Sequence, residues 1–241
     1  AYQMAHQLNK LDWEVAVLTQ QDYADEREIK RYNQQQIFRI HTLRHLPGMP
    51  SEAIYRWQYL RKLVREWQPD VLVATGEQAV LVAAGAQLKI PWAAIWHGVI
   101  PPTDWNKKIS GWAYQRATQI ISVSNYSRSQ LQKLGVRNGK EAVITNGADE
   151  TVFKPIAEER ILEFRRTLKV SSSPLLLTVG NMSERKGQDI VIRALGLLKK
   201  EIPDLHYLIA GLPTRRGELE RLAVSQGVAD HVHFLGQVDE D

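Results

Sequence analysis

The chain has 241 residues, 44% hydrophobic and 24% charged, with a formal net charge of +4 at pH 7. That length gives room for two ordinary domains, and no apolar run approaches the roughly 18 residues of a membrane span. The absence of cysteine excludes disulfides and thiolate metal sites and suits a cytoplasmic protein.

In chain order, short apolar runs alternate with amphipathic stretches. A helix over 1–10 precedes strands at 13–19 (WEVAVLT) and 37–43 (IFRIHTL). A helix over 51–67 follows, with Ile54, Trp57, Leu60, Val64 and Trp67 on one face. Then come strand 71–74, helix 77–88, strand 92–96 (WAAIW), helix 106–117, strand 119–123, helix 125–134 and strand 142–145. Asn146-Gly147 and Pro155 mark a joint. Beyond it lie helix 157–168, strand 175–180 (LLLTVG), helix 188–200, strand 206–211 (HYLIAG), helix 215–226 and strand 231–236 (HVHFLG). Strands that are apolar on consecutive residues are expected to be buried on both faces of a parallel sheet. Their alternation with helices predicts doubly wound α/β domains. The boundaries expected are 1–150 and 151–241. The chain opens on a helix with no strand before it and closes just after a strand, which reads as a piece of a longer protein.

Charge is uneven along the chain. Residues 1–145 hold 18 Lys and Arg against 12 Asp and Glu, whereas 146–241 hold 13 against 15. The surplus concentrates at Arg39, Arg44, Arg56, Arg61, Lys62 and Arg65, which meet only Glu52. Such a segment is either a solvated helix face or an attractor of anionic partners. With Trp57 and Tyr59 beside it, helix 51–67 is expected to touch an anionic membrane surface. No recognised nucleic-acid-binding motif accompanies it, so no nucleic acid partner is expected.

Two places can carry chemistry. In GNMSERKG (180–187), Gly180 ends a strand, and Arg185 and Lys186 stand just before a helix N-terminus that already carries partial positive charge. Either these cations point into water or the turn holds an anion such as a phosphate. The turn is not a P-loop, and no GxGxxG occurs. His97 follows strand 92–96 at the carboxyl edge of the first sheet, where a histidine either packs or takes part in catalysis. The remaining histidines show no metal-site spacing, and no G-x-S-x-G elbow is present.

The ordered set LNKLDWEVAVLT, AAIWHG, IISVSNYSRSQLQKLG, VITNGADETVFKP, LLLTVGNMSERKGQDIVIRALGLL, PDLHYLIAG and ELERLAVSQGVADHVHFLGQV resembles the family 4 glycosyltransferases over nearly the whole chain. The resemblance implies a GT-B fold: two Rossmann-like, doubly wound domains facing across a cleft, both incomplete here. Residues 1–150 would be the acceptor-side domain without its first strand. Residues 151–241 would be the truncated nucleotide-sugar-binding domain. It implies a retaining transfer of a sugar to an acceptor hydroxyl in polysaccharide or glycolipid synthesis, with no cofactor or metal. Lys186 matches the lysine that neutralises the leaving diphosphate, and His97 the histidine that faces the donor sugar. Gly180, Gly211, Gly236 and Val238 match the rest of the nucleotide-sugar site; Asn181 falls within it, and Arg185, next to Lys186, is a candidate to share the diphosphate. Asn181 stands where the family usually has arginine, so an uncharged amide replaces a fixed cation. GLPTRRG, beginning at Gly211, also departs from the usual form. The partners implied are a nucleotide-sugar donor and a glycan or lipid-linked acceptor, at a cytoplasmic location peripheral to the inner face of the membrane. The piece alone is expected to be inactive. Two other readings stay open: another GT-B enzyme such as a nucleotide-sugar 2-epimerase, and a non-catalytic sugar-nucleotide-binding module.

Overall fold

The computed structural model describes residues 2–20, 29–30, 39–43, 51–98, 103–136, 139–151, 153–170 and 172–238. Arg44, the Pro101-Pro102 pair and the first two residues of strand 37–43 lie outside them. The chain divides into two compact units, Ala1–Ala148 and Asp149–Asp241.

The first unit runs α1 (Tyr2–Asn9), β1 (Ala16–Gln20), β2 (Arg39–Leu43), α2 (Ser51–Trp67), β3 (Leu72–Thr75), α3 (Glu77–Ala86), β4 (Trp92–Trp96), α4 (Asp104–Gln115), β5 (Gln119–Ser122), α5 (Asn125–Lys133) and β6 (Glu141–Val143). β1 begins three residues later than expected. The chain leaves α1 through Asp12 at φ 62°, and the Trp13 N–H bonds back to the Leu8 carbonyl at 3.2 Å.

Among the described residues all strand pairs are parallel, and β3-β4-β5-β6 form one sheet. Its core follows from β4, where Trp92, Ala94 and Trp96 point into the interior. The Trp96 indole N–H donates to the Ser127 carbonyl at 2.7 Å, and its ring meets Tyr114 edge-on at 5.1 Å. Apolar bulk with a satisfied polar tip is what a buried tryptophan requires. α3 is small and apolar (Val80, Ala83, Ala84 and Ala86 are buried), so α2 can approach it closely. A Cβ at Gly85 would lie 2.2 Å from the Trp57 indole nitrogen.

β1 and β2 form a separate two-stranded sheet. Among the described residues, neither β1 nor β3 pairs along its second edge, and both line a cavity of about 740 Å³. Leu8, Leu60 and Val64 close it from α1 and α2. Unpaired backbone groups beside apolar side chains are costly.

The second unit runs α6 (Glu158–Thr167), β7 (Leu175–Val179), a 3₁₀ turn (Glu184–Lys186), α7 (Gln188–Leu198), β8 (His206–Ala210), α8 (Arg216–Ser225), a second 3₁₀ turn (Ala229–His231) and β9 (Val232–Gly236). Its parallel sheet has the order β7-β8-β9. Ile192 and Leu195 of α7 and Leu219 and Ala223 of α8 cover Tyr207 and Ile209 of the central strand. β7 departs from the expectation of burial on both faces. Leu176, Leu177 and Val179 are exposed: among the described residues β7 is an edge strand, and α6 buries none of its own residues.

At the amino end of this sheet three histidines meet. His206 Nδ1 lies 3.0 Å from His233 Nε2, and the His231 ring stacks on His206 at 4.7 Å. Burial, and then the neighbouring imidazoles, lower the pKa of His206 below 6.5; Asp204 opposes the shift weakly. Burial followed by His231 does the same to His233. A histidine with a depressed folded pKa favours the neutral state. Its contribution is complete above the unfolded value near 6.5 and is lost as pH falls through the folded value. The urea midpoint of the second unit is therefore expected to hold from pH 8 to about 7 and to drop from about 6.5 downward. The His206→Gln/His233→Gln variant should flatten that drop; an unchanged profile would show that the cluster does not set it.

Candidate functional site

The carboxyl ends of β7, β8 and β9 lie side by side. The Gly180 N–H donates to the Ala210 carbonyl at 2.8 Å, and the Gly211 N–H to the Gly236 carbonyl at 2.6 Å. The strands come this close because Gly211 has no side chain: a Cβ there would stand 2.3 Å from the Gly180 oxygen. The turn after β7 is pinned from below. Met182 is fully buried, and its N–H donates to the Leu212 carbonyl at 3.0 Å. The Thr214 hydroxyl donates to the Met182 carbonyl, and the buried Gln188 amide to the Asn181 carbonyl at 3.2 Å.

On this base Lys186 folds back over Gly180. A Cβ built at Gly180 would lie 3.2 Å from Lys186 Cε and 3.5 Å from Nζ. The side chain is exposed, and among the described residues no carboxylate pairs with it. Gly187, at φ 68°, turns the chain into α7, whose N-terminus no side chain caps. An ammonium and an uncapped helix start therefore adjoin one open strand end, an arrangement that favours an anion. Asp189 in the first turn of α7 offsets part of that positive field. Arg185 and Asn181 are both exposed, and Val238 is exposed two residues beyond Gly236.

At the carboxyl edge of the first unit, His97 is exposed directly after β4, with Nε2 3.0 Å from the Thr75 hydroxyl at the end of β3. Gly98, at φ 86°, lets the chain pass Ser127, whose hydroxyl would lie 3.0 Å from a Cβ there. Ser124 caps α5, accepting from the Ser127 N–H at 3.0 Å. The histidine is thus held by one hydroxyl, leaving Nδ1 for a further partner.

The structure brings Gly180, Gly211, Gly236 and Lys186 together in the second unit, and places His97 in the first. Sequence reasoning missed Thr75, Met182, Gln188 and Thr214. Only Thr75, at the end of an apolar strand, carried any signal; the others are positioned by contacts between turns. Among the described residues no three His, Cys, Asp or Glu side chains are placed to hold a metal ion. No helix among them is long and apolar enough to cross a membrane.

Comparison with known proteins identifies the family. Residues 1–152 match Glycosyltransferase Family 4, and residues 159–241 match Glycosyl transferases group 1. A GDP-mannose-dependent alpha-(1-6)-phosphatidylinositol monomannoside mannosyltransferase of Mycolicibacterium smegmatis is 30% identical over 118 residues, covering 49% of this chain and 31% of that protein. A D-inositol 3-phosphate glycosyltransferase of Corynebacterium kroppenstedtii is 34% identical over 101 residues, covering 39% and 22%. The structure of HepE from Anabaena in complex with UDP-glucose has a TM-score of 0.82 at 21% identity, covering 98% of this chain and 65% of that one. The chain thus covers less than two thirds of these relatives' length, while the likeness of fold, parallel α/β of the GT-B type, extends through both units. Because the first family match spans more than half of its residues, the chain belongs to glycosyltransferase family 4.

Proposed function

We propose that the intact protein is a retaining glycosyltransferase that moves a sugar from a nucleotide-sugar to an acceptor hydroxyl in glycolipid or polysaccharide synthesis. The observation that carries this reading is Lys186 lying over Gly180, beside the uncapped start of α7. In transfer, the bond from the sugar's anomeric carbon to the diphosphate breaks, and a bond to the acceptor oxygen forms on the same face. The acceptor's proton passes to the leaving phosphate. Negative charge grows on that phosphate in the transition state, where a positioned ammonium and free backbone N–H groups are worth most. His97 would bond a hydroxyl of the donor sugar, its ring set by Thr75. The mannosyl and inositol-phosphate relatives and the UDP-glucose complex of HepE support a nucleotide-sugar donor and a lipid-linked or small polyol acceptor.

Asn181 favours a second reading, a module that binds the donor without turnover, because it leaves the turn one cation short of the family's pattern. Calorimetry of the intact protein with a panel of nucleotide-sugars, followed by product analysis, separates the readings. Transfer only when acceptor is present supports the transferase. Conversion of the donor without acceptor indicates an epimerase, binding alone a module, and no binding overturns the site assignment.

Thr75→Val tests the histidine. Losing a hydrogen bond of about 0.5–1.5 kcal/mol frees the ring to rotate. The expected result is a two- to tenfold fall in kcat/KM, about what that energy converts to, with folding unchanged. Wild-type kinetics would show that His97 needs no such positioning.

A further inference from the structure

The cations expected to face a membrane on α2 are largely used within the unit. Arg56 pairs with Glu52 at 2.6 Å, the Arg61 Nε–H donates to the Ala86 carbonyl at 2.7 Å, and Trp57 packs under Gly85. Lys62 has Glu66 at 3.8 Å. The opposite situation holds on α4. Its inner face is committed to the fold: Ser110, Gly111, Ala113 and Tyr114 are buried, and the Ser110 hydroxyl donates to Glu77 of α3. On its outer face Trp105 is 71% and Trp112 41% exposed. Lys108 is exposed between them, and the Arg116 guanidinium lies 4.1 Å over the Trp112 ring.

Positions 105, 108, 112 and 116 follow helical spacing, so two indoles and two cations form one stripe. Lys107 is paired with Asp104 at 2.9 Å, and the segment 104–116 carries three cations against one carboxylate. Indoles held in water beside cations match the boundary between lipid headgroups and acyl chains: the ring sits among the upper methylenes while its N–H and the neighbouring cations meet phosphates. A surrounding half-chain with 18 Lys and Arg against 12 Asp and Glu adds attraction of the same sign. We propose that the Trp105–Lys108–Trp112–Arg116 face of α4 docks the protein on an anionic lipid surface. This goes beyond the transferase reading and does not depend on it.

The test is sedimentation of the full chain with vesicles of phosphatidylcholine alone or with 30% phosphatidylglycerol (about a third anionic, as a probe of surface charge). Binding should require the anionic lipid and weaken as salt rises. Lys108→Glu/Arg116→Glu and Trp105→Ser/Trp112→Ser should each lower the partition coefficient about tenfold or more. Lys62→Glu/Arg65→Glu on α2 should change it less than about threefold. Far-ultraviolet circular dichroism and the thermal midpoint of each variant verify that the fold persists; the α4 side chains replaced are exposed, so it should. Binding that is absent, indifferent to anionic lipid, unchanged by the α4 variants, or lost only through the α2 variant overturns the proposal. So does self-association of the wild-type chain that the tryptophan variant abolishes, which would make the stripe a contact between copies.

Discussion

Lys186→Ala in the intact protein is expected to lower kcat/KM about ten- to a hundredfold. On the proposed assignment it removes a charge-assisted hydrogen bond to the donor diphosphate worth roughly 1.5–3 kcal/mol, and each 1.36 kcal/mol is about one decade of rate. Because negative charge on the departing phosphate grows between the ground state and the transition state, much of the loss should appear in kcat rather than in KM alone. Asn181 supplies no second fixed charge, which pushes the effect toward the upper end. The same substitution at Arg185 separates two arrangements. Arg185 is exposed and, among the described residues, makes no ion pair, so its loss should be nearly silent; a comparable loss would show that it swings in to share the phosphate. Steady-state kinetics with saturating acceptor decides both, and wild-type behaviour of Lys186→Ala would mean that the turn is only solvated.

Gly211→Ala should have the largest effect on stability. The new methyl group would stand 2.3 Å from the Gly180 oxygen and 3.0 Å from the Asn181 nitrogen, with the backbone at φ 141°. Strain in that region costs about 1–3 kcal/mol, and overpacking against a backbone that cannot yield costs about 1–3 kcal/mol more. For a unit of this size the unfolding midpoint should fall by about 10 °C or more. Gly236→Ala is the matched control: its φ is 72°, but nothing lies within 4 Å of a Cβ there, so only the strain remains. Equal midpoints for the two variants would show that the close approach of β7 and β8 is not what fixes the turn.

The alternation of elements was legible because burial imposes it. WAAIW reads as a buried strand and is one, and the helix at 51–67 has the bounds its periodicity predicts. The glycine-bounded turn at 180–187 was legible for a local reason, since Gly180 and Gly187 take positive φ values of 152° and 68° that residues with side chains rarely adopt. What was not legible depends on neighbours distant in sequence. Charge alone cannot show that Arg61 is consumed by a carbonyl 25 positions away. Nor can it show that Trp57 is wanted against Gly85 while Trp105 is not wanted anywhere inside. The exposed face of β7 escaped for the same reason: apolar residues specify that something should cover a strand, not that it lies at an edge.

The split between β1-β2 and the larger sheet gives the first unit two scales of cooperativity. The smaller sheet rests on its own cluster of Ala5 and Ile40 with Val15, Val17 and Ile29, apart from the core around Trp96. The Trp67 indole N–H reaches Glu14 at 3.3 Å, an exposed bond that water replaces at little cost. Fraying of α1, β1 and β2 therefore breaks no rung of the ladder from β3 to β6. Amides of β1 and β2 open to solvent through that low-energy excursion, while those of β4 and β5 wait for the whole unit to unfold. A protease probing the native ensemble would nick this corner first and leave the His97 edge standing.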